Sequence, residues 1–126
     1  MADTPGAPVP PVPVLAVVRD LFFVARIRET ARLCSTPLAF VRSPEELASA
    51  LSARARWILL DLTGGFDYAR LFEAIDAAVP RPPVLGFTTH VLARQTQPWH
   101  GRCDRVVTKE TLARELPALM REGIAA

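Results

Sequence analysis

The stretch Trp57-Ile58-Leu59-Leu60-Asp61-Leu62-Thr63-Gly64-Gly65-Phe66-Asp67 decides how this chain folds. Trp57 to Leu60 is an unbroken apolar run. Such a run reads as a strand buried on both faces, because a strand with one wet face alternates instead. The run stops at a carboxylate, Asp61. Gly64 and Gly65 mark a loop after it. Asp67 is placed to cap a helix whose inner face is Tyr68, Leu71, Phe72, Ile75 and Val79. A buried strand, a polar strand end, a loop and a helix make one βα unit.

The same unit recurs on both sides. Upstream, Val14 to Val18 is a strand, and Val24, Ile27, Ala31 and Cys34 follow at helical spacing. Leu38 to Val41 is a second strand. Ser43-Pro44-Glu45-Glu46 opens a helix with a capping serine, a first-turn proline and a capping-box glutamate, and Leu47, Ala50 and Leu51 follow on one face. Downstream, Pro80 to Pro83 ends the third helix, and Val84 to Phe87 is a strand ending at Thr88. A fourth helix from about His90 is expected to stop before Pro98. Arg105 to Val107 is the last strand. The final helix carries Leu112, Leu116, Leu119 and Met120, and a break is expected at Pro117. Strand and helix alternate five times, which demands a parallel α/β sheet with helices on both faces. Residues 1–13 hold five of the twelve prolines and show no hydrophobic period. They read as a mobile or extended tail ahead of a domain over 14–126, with docking through the Pro-Val segment 8–14 as the lesser alternative.

Composition narrows the function. At 126 residues, 50% hydrophobic and 22% charged, the chain suits one globular domain. No apolar run approaches the roughly 18 residues of a membrane span, and no basic stretch leads an apolar one at the N-terminus, so neither membrane nor secretion is expected. Fifteen basic against thirteen acidic residues leave +2, and the arginines are scattered, so nucleic acid is not an expected partner. Cys34 and Cys103 lie far apart; they read as small apolar residues, with a disulfide or metal pair the minor alternative. The expected compartment is the cytoplasm.

In an open parallel sheet, ligands bind beyond the carboxyl ends of the strands. Those ends carry Arg19-Asp20, Asp61, Thr88-Thr89 and Thr108-Lys109. Two carboxylates, a hydroxyl and an ammonium are thus expected to converge on one crevice.

With these residues in view, the segments VVRDLFFVARIRETA, WILLDLTGGFD, PVLGFTTHV and GRCDRVVTKETLARELPAL resemble a response-regulator receiver domain over roughly residues 14–121. They are most similar to small stand-alone receiver-like proteins. The resemblance implies a flavodoxin-like three-layer sandwich with strand order 2-1-3-4-5. It places Asp61 at the phosphoryl acceptor, Asp20 with Asp61 and the Thr63 carbonyl at the Mg²⁺ ligands, Thr88 at the switch hydroxyl and Lys109 at the phosphoryl-binding lysine. The chemistry suits these types: a carboxylate attacks phosphorus, and cations offset charge on the oxygens.

Departures from the family follow. Arg19 stands where the family has its first acidic residue. At roughly 5 Å, one unit charge against Mg²⁺ amounts to roughly 2–7 kcal/mol for effective dielectrics of about 80 to about 20. Glu110, not proline, follows Lys109; the loop after Asp61 lacks the family's proline; and Val106 replaces an aromatic. The expectation is a pseudo-receiver in which Arg19 bridges to Asp61 and impairs phosphorylation, with no cofactor or only weak Mg²⁺. Its output would pass through a protein partner, either a signalling protein or a histidine kinase, or through a homodimer. No enzymatic activity is expected. The alternative is a working single-domain response regulator phosphorylated on Asp61 by a histidine kinase with Mg²⁺.

Other chemistries fit less well. A phosphatase with an aspartate nucleophile needs a second aspartate at position 63, where threonine stands. A nucleotide or flavin site needs a Gly- or Ser/Thr-rich loop after the first strand, and residues 19–25 contain none of these. His90 lacks the surroundings of a cobalamin ligand and reads as the packed or locally bonded start of the fourth helix, and His100 as a surface loop residue. Leu21-Phe22-Phe23 reads as core and loop packing, with a partner surface as the alternative; Trp99 reads as a possible surface anchor.

Overall fold

The computed structural model describes residues 12–124. Most of the expected tail therefore lies outside the described residues. Its last residue, Pro13, is tied down: its carbonyl accepts the Arg56 N–H at 2.8 Å. From there the elements are β1 (Val14–Val17), α1 (Leu21–Leu33), β2 (Leu38–Phe40), α2 (Pro44–Leu51), β3 (Ile58–Asp61), α3 (Tyr68–Ala77), β4 (Val84–Thr88), α4 (Ala93–His100), β5 (Arg105–Thr108) and α5 (Lys109–Glu122). All strand pairs are parallel, in the order β2-β1-β3-β4-β5. This is the expected flavodoxin-like sandwich. No helix among the described residues is long and apolar enough to cross a membrane.

The period of two along each strand builds two cores. Val14, Ala16, Val18, Trp57, Leu59, Leu85 and Phe87 point to the layer of α1 and α5, where Ile27, Ala31, Leu112, Leu116 and Met120 cover them. Leu15, Val17, Ile58, Leu60 and Val84 point the other way, under Leu47, Leu71, Phe72 and Ile75. Because both alternate sets are covered, the strands read as continuous apolar runs. Ser43 caps α2 by accepting the Glu46 N–H at 3.1 Å, and the Glu46 carboxylate reaches back to the Arg42 N–H at 2.9 Å.

The structure corrects several expectations. The fourth helix begins at Ala93, not near His90, because Thr89 accepts the Leu92 N–H and turns the chain first. It also runs through Pro98. The proline forgoes only the bond to the Arg94 carbonyl. Trp99 then stacks on Phe72 at 5.9 Å between ring centres and lies 5.7 Å from Tyr68. That packing outweighs the pre-proline bias, and it makes Trp99 half-buried rather than a surface anchor. Likewise α5 is one element across Pro117. Its last turn is gripped from outside: Thr36 donates to the Met120 carbonyl at 2.8 Å, and Arg56 donates to the Met120 and Arg121 carbonyls at 3.0 and 2.9 Å. Val79, read as inner face, is exposed because α3 ends at Ala77.

Gly86 marks the tightest packing in β4. A Cβ there would lie 2.8 Å from Cys103 Sγ and 3.0 Å from Leu62 Cδ1. Gly86→Ala is expected to cost about 1–3 kcal/mol by overpacking, read as a lower urea midpoint at unchanged slope. Gly101→Ala, with open space around its Cβ position and helical dihedrals, should hold or slightly raise the midpoint.

Candidate functional site

Register brings the strand ends together. Asp61 pairs with Phe87 and Thr88 with Thr108, so Asp61, Thr88 and the start of α5 share one rim. Lys109 reaches across that rim to Asp20, 89 positions earlier, with Nζ 3.0 Å from Oδ2. Asp20, Asp61, Thr88 and Lys109 therefore occupy one end of the sheet.

Asp20 does two jobs. Its Oδ1 caps α1 by accepting the Phe22 and Phe23 N–H groups at 3.0 and 3.2 Å, and its Oδ2 takes the lysine. The hydrogen bond from Lys109, reinforced by the Phe23 N–H, holds its carboxyl below the usual carboxylate range.

Asp61 is 2% exposed. Its Oδ1 accepts from the Thr63 N–H at 2.8 Å and the Thr63 hydroxyl at 2.7 Å. Below it, the Tyr68 hydroxyl donates to the Asp61 carbonyl at 2.7 Å and accepts the Gly64 N–H at 3.0 Å. Burial pushes the Tyr68 phenol up from its ordinary value. Helical spacing identified Tyr68 only as inner face; nothing in the sequence signalled its polar end.

Arg19 does not bridge to Asp61. Its Nη1 donates to the Gly64 and Gly65 carbonyls at 2.9 and 3.1 Å, and its guanidinium carbon sits 4.2 Å from the Phe66 ring centre. The reason lies in the loop. Gly65 takes a φ of +72° and turns two adjacent carbonyls toward the rim. A planar guanidinium with several donors and an affinity for aromatic faces fits that surface, while Asp61 Oδ1 is already satisfied by Thr63. At Gly64 a Cβ would lie 2.6 Å from Phe66 Cε2 and 3.3 Å from Asp61 Oδ2, so glycine lets the loop fold over the carboxylate.

Thr88 is 4% exposed and Thr96 5% exposed. The Thr96 hydroxyl lies 3.0 Å from the Thr88 hydroxyl and 2.7 Å from His100 Nε2. His100 is therefore the half-buried last residue of α4, not a surface loop residue. His90 is exposed in the turn before α4, neither packed nor its first residue. Leu21 and Phe22 are 81% and 92% exposed, against the core reading; of the three only Phe23 turns inward, its ring 5.2 Å from Phe87. Cys34 and Cys103 are free thiols packed on opposite faces of the sheet, so the two cannot pair.

The residues present fit Mg²⁺ poorly. That ion demands near-octahedral oxygen coordination. Both Asp20 oxygens and Asp61 Oδ1 are engaged, and Arg19 brings a positive charge to the same end of the sheet. No cluster of three or more metal-ligating side chains occurs among the described residues.

No protein-family model and no curated protein matches the sequence. Solved structures do match in shape. One is the receiver domain of a sensor histidine kinase from Pseudomonas aeruginosa, solved with magnesium in its active-site cleft: TM-score 0.71, 19% identity, covering 92% of this chain and 99% of that one. A chemotaxis response regulator of Vibrio cholerae gives 0.70 at 17% identity, covering 90% and 99%. The receiver domain of a response regulator from Geobacillus stearothermophilus gives 0.66 at 21% identity, covering 88% and 93%. The fold is that of a receiver domain. In this chain Asp20, Asp61, Thr88 and Lys109 stand at one end of the sheet, and Arg19 ties the end of β1 to the loop after β3.

The Asp20–Lys109 pair sets a pH dependence. A carboxyl whose folded pKa is depressed contributes stability that is present above its unfolded value and lost as pH falls through the folded one. Wild-type stability is thus expected to decline below about pH 4, through the lowered Asp20 pKa. Lys109→Met should move the Asp20 carboxyl midpoint up in a ¹³C NMR titration and shrink that decline; an unmoved midpoint would show that the pair does not form in solution.

Proposed function

We propose that this chain is a receiver-fold signalling module that acts through protein–protein contact, with phosphorylation at Asp61 weakened. The observation that carries the reading is the Arg19 tether. A guanidinium held on the Gly64 and Gly65 carbonyls replaces a carboxylate beside Asp20 and Asp61, and it cross-links the loop after β3 to the end of β1. The impairment is thus assigned to a missing anionic ligand and an added fixed charge, not to an Arg19–Asp61 bridge. The partner is a protein, a histidine kinase or another signalling protein, or a second copy of this chain. Exposed Leu21 and Phe22 at the start of α1 supply apolar anchors of the kind that dominate protein interfaces.

A second reading, the phosphoacceptor, draws support from one observation: Arg19 leaves Asp61 unbridged, and Thr88 and Lys109 stand on the same rim. Intact-mass spectrometry after incubation with acetyl phosphate and Mg²⁺ separates the two. The weakened reading expects at most a small fraction of phosphoryl adduct, abolished in Asp61→Ala and increased in Arg19→Asp. A stoichiometric, Asp61-dependent adduct on the wild-type chain would sink it in favour of the phosphoacceptor.

A further inference from the structure

Thr88, Thr96 and His100 form a chain of polar atoms running from the rim to the end of α4. Thr96 has one hydroxyl hydrogen and three neighbours in reach: Thr88 Oγ1 at 3.0 Å, His100 Nε2 at 2.7 Å and the Ala93 carbonyl at 3.2 Å. Both threonines are nearly sealed from solvent, so water does not readily stand in for a missing partner, and the hydrogens must be shared within the chain.

The geometry points to a relay in which Thr96 and His100 set the direction of the Thr88 hydroxyl. When His100 Nε2 bears hydrogen, it donates to Thr96. The Thr96 hydrogen then goes to Thr88 at 3.0 Å, nearer than the Ala93 carbonyl at 3.2 Å, and the Thr88 hydrogen is left for the rim. When Nε2 is bare, it claims the Thr96 hydrogen. Thr96 then accepts from Thr88, and Thr88 turns lone pairs to the rim. Because Thr88 ends the strand paired with β3, the first state offers a donor to an anion at Asp61 and the second offers repulsion. Thr96 and His100 are thereby positioning residues. The inference rests on the reading of the rim as a phosphoryl-responsive pocket, and it adds a second input from the far end of α4.

Two measurements test it separately. In the free protein, long-range ¹H–¹⁵N spectra report whether His100 Nε2 carries hydrogen. Thr88→Val should shift the His100 imidazole ¹⁵N signals, because it removes the far end of the chain; unchanged signals would overturn the relay whatever the pocket binds. In the second, the full chain is titrated with beryllofluoride and Mg²⁺. With hydrogen on Nε2, as the first measurement reports it, His100→Leu should weaken binding about tenfold, the scale of one hydrogen bond to a charged group; with Nε2 bare, His100→Leu should tighten binding instead, by freeing the Thr96 hydrogen for Thr88. The urea midpoint should stay close to wild type. In the first case His100→Gln, whose amide can donate to Thr96, should recover most of the loss. Wild-type affinity in His100→Leu, or in the first case no recovery in His100→Gln, would refute the relay. Failure of the wild-type chain to bind beryllofluoride while the imidazole signals still respond to Thr88→Val would instead reject the phosphoryl reading of the rim and leave the hydrogen-bonded chain standing.

Discussion

Burial of the sheet on both faces is the constraint from which the rest of this molecule follows. β1 and β3 are buried along their whole length, and β4 likewise. A polar side chain in such a strand would have to be fully paired inside an apolar layer, at a cost of a few kcal/mol if it were not. Polar residues are therefore displaced to the strand ends, and because the strands are parallel the carboxyl ends all fall on one side. Asp61, Thr88 and Thr108 are neighbours for that reason, and Asp20 and Lys109 close the rim from the adjoining turns.

Charge arrangement on that rim distinguishes this chain from a plain acidic pocket. Asp20 is held by its own helix and by Lys109, and Asp61 by Thr63. Arg19 spends its donors on loop carbonyls and its flat face on Phe66. The result is a rim whose side chains are largely satisfied by one another. A metal ion would have to displace several of these bonds, whereas a partner protein or an anion contacting Lys109 would leave most of them in place.

Much of this was legible before any coordinates. The run from Trp57 to Asp61 and its repeats along the chain gave the βα order, and strand ends gave the site residues, since apolar continuity and polar termination are both local signals. The failures cluster where packing overrode a local rule. Pro98 and Pro117 stay inside helices because distant segments supply contacts: Phe72 and Tyr68 pack on Trp99, and Thr36 and Arg56 bond the last turn of α5. Phe22 is exposed although its side chain is apolar, because the Asp20 cap fixes the rotation of α1 and turns Phe23, Val24, Ile27 and Ala31 toward the sheet instead.

The amino-acid order alone determined a five-fold strand–helix alternation and the identity of the polar strand ends, because side-chain hydrophobicity and capping act over a few residues. Which partner each of those polar groups takes was decided only by tertiary structure. Arg19 meets Gly64, Lys109 meets Asp20, and Thr96 joins Thr88 to His100. These pairings depend on ångström-scale placement of loops and of α4 against β4, and a hydrogen bond forms only within that narrow range of distance and angle.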